Sequence, residues 1–192
     1  NYIIALFSGV REVAVFSIAM QFIGYFLSLM QSAFGIMVPY FSRMQARGDR
    51  DDTAGSLLFA LRLSYVTASF IGLCLIFYGQ EFIVLWLGPG FAEAHDALVP
   101  LTIGAVFSLG MLPADGYLLG TARHRMLARC AMAEGVSIVL LSLALAGLFG
   151  MEGVAWAYCG VALVFRAGVV PWFVFTQAGL PLLAYARLLA EV

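Results

Sequence analysis

Charged side chains are scarce in this chain, so each one that falls inside an apolar run demands an account. Glu134 and Arg166 stand well inside two such runs, and Asp115 lies near the end of a third. A central arginine costs about 2.5 to 3.5 kcal/mol on membrane-insertion scales, so such a group needs a partner or water and is a functional candidate by default. Glu134 is about eight residues from the near end of its run and Arg166 about nine, which at 1.5 Å per residue puts both roughly 12 to 14 Å deep. The two can therefore meet. One reading is a closed ion pair that holds two helices together; the other gives Arg166 a ligand, with Glu134 holding it or exchanging a proton. Asp115 reads as a snorkelling or capping carboxylate, or as a further coupling group.

A second set is polar but uncharged. At 100° per residue, Gln21, Gly24, Tyr25, Ser28, Gln31, Ser32, Gly35 and Pro39 share an arc of about 120°, while Phe22, Ile23, Phe26, Leu27, Leu29, Met30 and Phe34 fill the rest. In lipid, such a stripe must face other helices or a hydrated cavity. Close packing through Gly24 and Ser28, with the glutamines as interhelical glue, and the lining of a cavity remain as alternatives. A shorter stripe of Gly104, Ser108, Met111 and Asp115 follows in a later run, where Pro113 can break the hydrogen-bond ladder.

Other chemistries lack their residues. All ten basic residues are arginine, so the phosphate-binding GxxxxGK[ST] loop has no lysine to build on. His95 and His124 fall on opposite sides of the third run and cannot share a metal, and Cys74, Cys130 and Cys159 fall inside apolar runs as packing residues. No catalytic group, metal or cofactor is expected, and the chain is not read as an enzyme.

The elements that position these residues follow from composition. Of 192 residues, 63% are hydrophobic and 11% charged, and the mean hydropathy is +0.98. Lipid must solvate most of these side chains, which excludes a DNA-binding domain, a secreted disulfide scaffold and a disordered tail. The balance of 10 basic and 11 acidic residues gives no field for nucleic acid. Five apolar runs, 13–40, 57–78, 98–119, 126–149 and 154–175, are each long enough to cross roughly 30 Å of hydrocarbon as a helix, and 1–7 reads as the end of a sixth. The expected fold is all-α, a polytopic transmembrane bundle forming one domain over 1–192. Asp52 or Thr53 is expected to cap the second helix, and Leu87 to Gly90 to make a turn within a long link, 80–96. Arginine-rich links (Arg43, Arg47, Arg50 and Arg62; Arg123, Arg125 and Arg129) alternate with arginine-poor ones, and Arg187 follows the last run. The positive-inside rule then puts the arginine-rich ends and the C-terminus in the cytoplasm. A chain that opens at Asn1 without a methionine reads as a fragment.

Four stretches carry a resemblance. They are Gly9 Val10 Arg11 Glu12 Val13 Ala14 Val15 Phe16 Ser17, with Val38 Pro39 Tyr40 Phe41 Ser42 Arg43 at the far end of that run; Glu81 Phe82 Ile83 Val84 Leu85 Trp86 Leu87 Gly88, followed by Phe91 and Ala94; Leu119 Gly120 Thr121 Ala122 Arg123; and 150–158. Together they resemble the polysaccharide biosynthesis proteins, the O-antigen or oligosaccharide-lipid flippases of the multidrug/oligosaccharidyl-lipid/polysaccharide exporter superfamily. The resemblance covers nearly the whole chain, through loose apolar motifs. It implies the C-terminal half of a transporter of about twelve or more helices, in the bacterial cytoplasmic (inner) membrane, whose missing N-terminal half is its partner. The implied cargo is a polyprenyl-diphosphate-linked oligosaccharide for cell-surface polysaccharide such as lipopolysaccharide. Membrane lipid is the other partner. On that reading Gln21, Tyr25, Ser28, Ser32 and Arg166 line the lumen, Arg166 meets the diphosphate, and Glu134 or Asp115 serves coupling. A cation-coupled multidrug exporter of the same superfamily and a non-catalytic membrane scaffold are the alternatives.

Overall fold

The computed structural model describes residues 9–47, 50–121 and 124–191, and these contain helices and turns but no strand. In chain order come α1 (Val10–Phe34), α2 (Met37–Arg47), α3 (Arg50–Leu87), a 3-10 turn (Pro89–Phe91), α4 (Ala94–Gly110), α5 (Leu112–Gly120), α6 (His124–Ala162), a π-helical segment (Leu163–Val169), α7 (Val170–Ala178) and α8 (Leu182–Ala190). Among the described residues, four stretches are long and apolar enough to cross a membrane: Arg11–Met44, Thr53–Leu87, Ala94–Gly120 and His124–Ala178. The chain is an all-helical protein with the makings of a membrane protein.

The last of these stretches, 55 residues long, is folded back on itself. Gly150 adopts φ 57° and ψ −135°, outside any helix. A methyl group on Gly153 would collide with the carbonyl oxygen of Leu145, and Arg166 touches Glu134, although a straight helix would separate those two by about 48 Å. Two antiparallel limbs therefore meet at Gly150.

Prolines set the other breaks. Pro39 has no N–H to offer the carbonyl four residues back, and the chain leaves the helix at Gly35 and Ile36 between α1 and α2. Pro113 likewise cannot serve the carbonyl of Leu109. The buried Ser64 hydroxyl of α3 donates to that oxygen at 3.1 Å, so the break between α4 and α5 does not strand the Leu109 acceptor.

α4 is the central helix, packed on α1, α3 and α6. In the α4–α5 stretch 67% of the most apolar window is buried, against 17% in α3, whose outer side chains Phe59, Phe70 and Phe77 face outward. Two apolar clusters divide the interior along the bundle. One gathers Phe22, Phe26, Met30, Leu98, Leu101 and Ala155; the other gathers Phe41, Leu61, Tyr65, Met111, Phe175 and Tyr185. Gly110 makes room for the buried Tyr65 ring, whose hydroxyl bonds that of Tyr185 at 2.9 Å.

Several expectations about boundaries change. α3 starts at Arg50, so Thr53 lies inside the helix instead of capping it; Asp49 falls outside the described residues, and Asp52 is likewise within the helix. The same helix runs on to Leu87, which shortens the link expected from Gln80 onward. The turn at its end is as expected, with Gly88 at φ 94°. Cys130 and Cys159 are buried packing residues, whereas Cys74 is exposed on the outer side of α3. Residues 1–7 and Arg123 lie outside the described residues.

Candidate functional site

The first limb of α6 sits at the rim of the bundle and touches it along one stripe. Its buried residues before the turn are Cys130, Glu134, Ser142 and Ala146, spaced in multiples of four, so Glu134 points inward from a helix whose Met132, Val136 and Leu140 point out. Arg166 comes from the π-helical segment within the second limb, between α6 and α7. A wider turn of this kind shifts the helical register and re-aims the side chains it carries. Asp115 sits in the first turn of α5, just past Pro113. The stripe noted from Gly104 to Asp115 packs on that second limb: a methyl at Gly104 would stand 3.0 Å from the Tyr158 ring and 3.1 Å from the Cys159 backbone.

These three elements converge on one guanidinium. Arg166 Nε donates to Glu134 Oε1 at 3.2 Å and Oε2 at 3.0 Å, and Nη2 stands 3.0 Å from Oε2. On the other side Nη1 donates to Asp115 Oδ1 at 3.2 Å and Oδ2 at 3.0 Å. The side chains of Arg166, Asp115 and Glu134 are 15%, 20% and 12% exposed. With both acids ionised, the group carries one net negative charge inside a membrane-length stretch. That excess can be balanced by a proton on a carboxylate or by a cation, and all three guanidinium nitrogens are engaged. Arg166 could take up an anionic ligand only by releasing a carboxylate.

The structure thus brings together Arg166, Glu134 and Asp115. The expected Arg166–Glu134 contact is present. Asp115, read first as a snorkelling or capping group, is instead the second arm of the same site. Its depth differs from that of Arg166 by a few residues, and the long arginine side chain spans the difference, a reach that a count of backbone positions does not register.

The polar stripe of α1 lies elsewhere. Gln21, Gly24, Tyr25, Ser28, Gln31 and Ser32 are all exposed, while Phe22, Ile23, Phe26, Met30 and Phe34 are buried against the bundle. Ser28 and Ser32 donate to carbonyls of their own helix, at 2.9 and 2.8 Å. A methyl on Gly24 would meet nothing within 4 Å, so among the described residues no helix packs on this stripe. No hydrogen bond or ion pair joins it to Arg166. The outer face also carries Leu27 and Leu29, so it is mixed in character.

Sequence reasoning missed the pairing of Tyr65 with Tyr185. Burial raises the Tyr185 phenol above its usual range, against the pull of the Tyr65 hydrogen bond. Among the described residues, no three of His, Cys, Asp and Glu are placed to hold a metal ion. His95 bonds the carbonyl of Ile76 at 2.9 Å, and His124 lies beyond the far end of α5.

The geometry defines a helical protein of membrane-spanning dimensions with a charged cluster inside and a polar face outside. Comparison with protein-family models, curated proteins and solved structures finds no match for the chain.

Proposed function

We propose that the chain is one half of a membrane transporter, not an enzyme, and that it moves a lipid-linked oligosaccharide between leaflets by alternating access. The observation that carries this reading is the orientation of α1. Its phenylalanines and Met30 are turned into the bundle, and its Gln, Tyr and Ser stripe is turned out, alongside Leu27 and Leu29. A helix that met only lipid on that side would gain by the opposite arrangement, because lipid offers glutamine no hydrogen-bond partner. A water-filled cavity, closed on its far side by a second bundle, satisfies the face as it stands.

Counted with the hairpin at Gly150 as two crossings, the bundle has five spans. The arginine-rich ends then lie in the cytoplasm and the turns at Gly88 and Gly150 outside, in a bacterial inner membrane. The second bundle is the N-terminal half that the resemblance to oligosaccharide-lipid flippases implies. The sugar and diphosphate of a polyprenyl-linked substrate travel through the polar cavity along Gln21, Tyr25, Ser28 and Ser32 while the tail stays in lipid. In this arrangement Arg166 serves the cycle through its carboxylates: protonation of one frees part of the guanidinium and loosens the junction of α5 with α6, so charge is coupled to helix position.

A second reading, the cation-coupled exporter of drugs, is favoured by the net negative charge of the Asp115–Arg166–Glu134 group, which suits a cation. Both readings require the α1 face to be wet. A cysteine at Ser28 is expected to react with a membrane-impermeant thiol reagent in at least one transporter state, and one at Phe26 to stay unreacted. Equal inertness at the two positions would overturn the cavity. Uptake of labelled lipid-linked sugar against efflux of a cationic dye then decides the cargo.

A further inference from the structure

At the end of the bundle away from the Gly88 turn, α8 lies beside the start of α3 and leaves an open groove between them. The groove has a volume of about 410 Å³ and is walled by Leu58, Phe59, Arg62, Leu183, Arg187 and Glu191. Its chemistry is that of a boundary between water and hydrocarbon. Phe59 and Leu183 are 70% and 60% exposed, which suits acyl chains, and two arginines flank them. Arg62 stands five residues inside the near end of the apolar run 57–78, roughly 7 Å deep at 1.5 Å per residue, from where its long side chain reaches headgroup level. Arg187 makes no ion pair among the described residues. Among the described residues Arg62 is held by Glu191, at 3.2 Å, with both side chains more than half exposed, a contact that a stronger anion can replace.

We infer that this groove binds the phosphate of an anionic phospholipid, with Arg62 and Arg187 on the headgroup, Phe59 and Leu183 against the chains, and Glu191 as the internal competitor that yields its place. Charge complementarity selects the occupant: two guanidiniums against one carboxylate leave a net positive mouth, and the apolar walls beside it favour a phosphate that carries tails over a free one. The inference rests on the chain being a membrane protein and not on what it transports.

Native mass spectrometry of the full chain in a neutral detergent tests it, with phosphatidylglycerol, phosphatidylcholine of the same chains, or inorganic phosphate added. Phosphatidylglycerol is expected to be retained in preference to phosphatidylcholine, and Arg62→Gln and Arg187→Gln each to weaken that preference about fivefold, the effect of one basic residue near an anionic surface. Glu191→Gln is expected to strengthen it. A merely structural Arg62–Glu191 bridge predicts instead that Glu191→Gln leaves lipid retention unchanged. Equal retention of the two lipids, an unaltered preference in the doubly substituted protein, or full competition by inorganic phosphate would each overturn the assignment. Loss of transport with intact lipid selectivity would strike the transporter reading alone.

Discussion

With Asp115 on one side of its guanidinium and Glu134 on the other, Arg166 cannot change places with either carboxylate without stranding the third group. In a lone ion pair, reversing both charges restores the attraction. Here Arg166→Glu combined with Glu134→Arg would set the new glutamate against Asp115, so the exchange is expected to fail as a rescue. Removing the cation alone leaves two enclosed carboxylates facing each other, and breaking a buried ionic group in this way costs about 3 to 5 kcal/mol. Arg166→Met should therefore lower the folded yield and the melting temperature. Adding Asp115→Asn and Glu134→Gln to that variant should recover both, since no uncompensated charge remains, and thermal unfolding in detergent followed by size-exclusion profile reads the outcome. If transport returns along with stability in the neutral triple variant, the cluster only joins helices. If Arg166→Met alone is as stable as the parent and transport is also unchanged, the cluster contributes neither to folding nor to transport.

At the scale of elements, the turn at Gly150 decides whether His124–Ala178 is a rod or a hairpin. A backbone at φ 57° and ψ −135° is closed to residues with a Cβ, and the neighbouring Gly153 abuts the Leu145 carbonyl, so the two glycines fix the turn for different reasons. Gly150→Ala is expected to cost about 1 to 3 kcal/mol through backbone strain. Gly153→Ala should likewise destabilise, by prising the limbs apart. Gly135→Ala, on the exposed side of the first limb where nothing lies within 4 Å, should be neutral or stabilise by about 0.5 to 1 kcal/mol. Melting temperatures of the three variants check the order, and a Gly150→Ala protein as stable as the Gly135→Ala one would contradict the strained turn. The turn was legible in the sequence because a short Gly-bounded link, 150–153, parts two apolar runs of spanning length. The helix ends were not. Hydropathy marks where apolar side chains stop, whereas hydrogen bonding continues past them, and α3 accordingly extends beyond the apolar run 57–78 at both ends. The break at Pro113 was readable from the missing N–H, whereas 13–40 reads as one run and hides the break at Gly35 and Ile36; the Ser64 hydroxyl that relieves the Pro113 break comes from another helix, and no spacing along the chain announces it. The outward aim of the α1 stripe was half legible: periodicity separated its two faces, and only packing against α4 showed which of them is turned in.

For the whole molecule, the two exposed ion pairs among the described residues lie toward opposite ends. Arg11 meets Glu93 at 3.2 Å beside the Gly88 turn, and Arg62 meets Glu191 at 3.2 Å beside α8. Exposed pairs of this kind contribute about 0 to 1 kcal/mol each, so they do not hold the bundle in shape. The arginines matter more through where they collect. Arg43, Arg62 and Arg187 gather toward the α8 end, and Arg125 and Arg129 open the first limb of α6 next to Cys130, which packs in the same cluster as Tyr185. The other end keeps Arg11, set between Glu12 and Glu93. On the reading proposed above, an asymmetry of this size would keep the arginine-rich end in the cytoplasm during insertion. In a background with Cys74, Cys130 and Cys159 replaced, single cysteines at Asp51 and Glu93 are expected to label from opposite faces of the membrane. A third at Glu152, exposed at the hairpin turn, should label from the same face as Glu93, because the limb that leaves near Arg125 and the limb that returns toward Arg166 each make one crossing. Labelling of Asp51 and Glu93 from one side would overturn the orientation. Protection of Glu152 from both sides, with the other two behaving as expected, would mean that the turn never reaches water, and the bundle would then have to be counted as three crossings followed by a hairpin that enters the membrane and leaves by the face it came from.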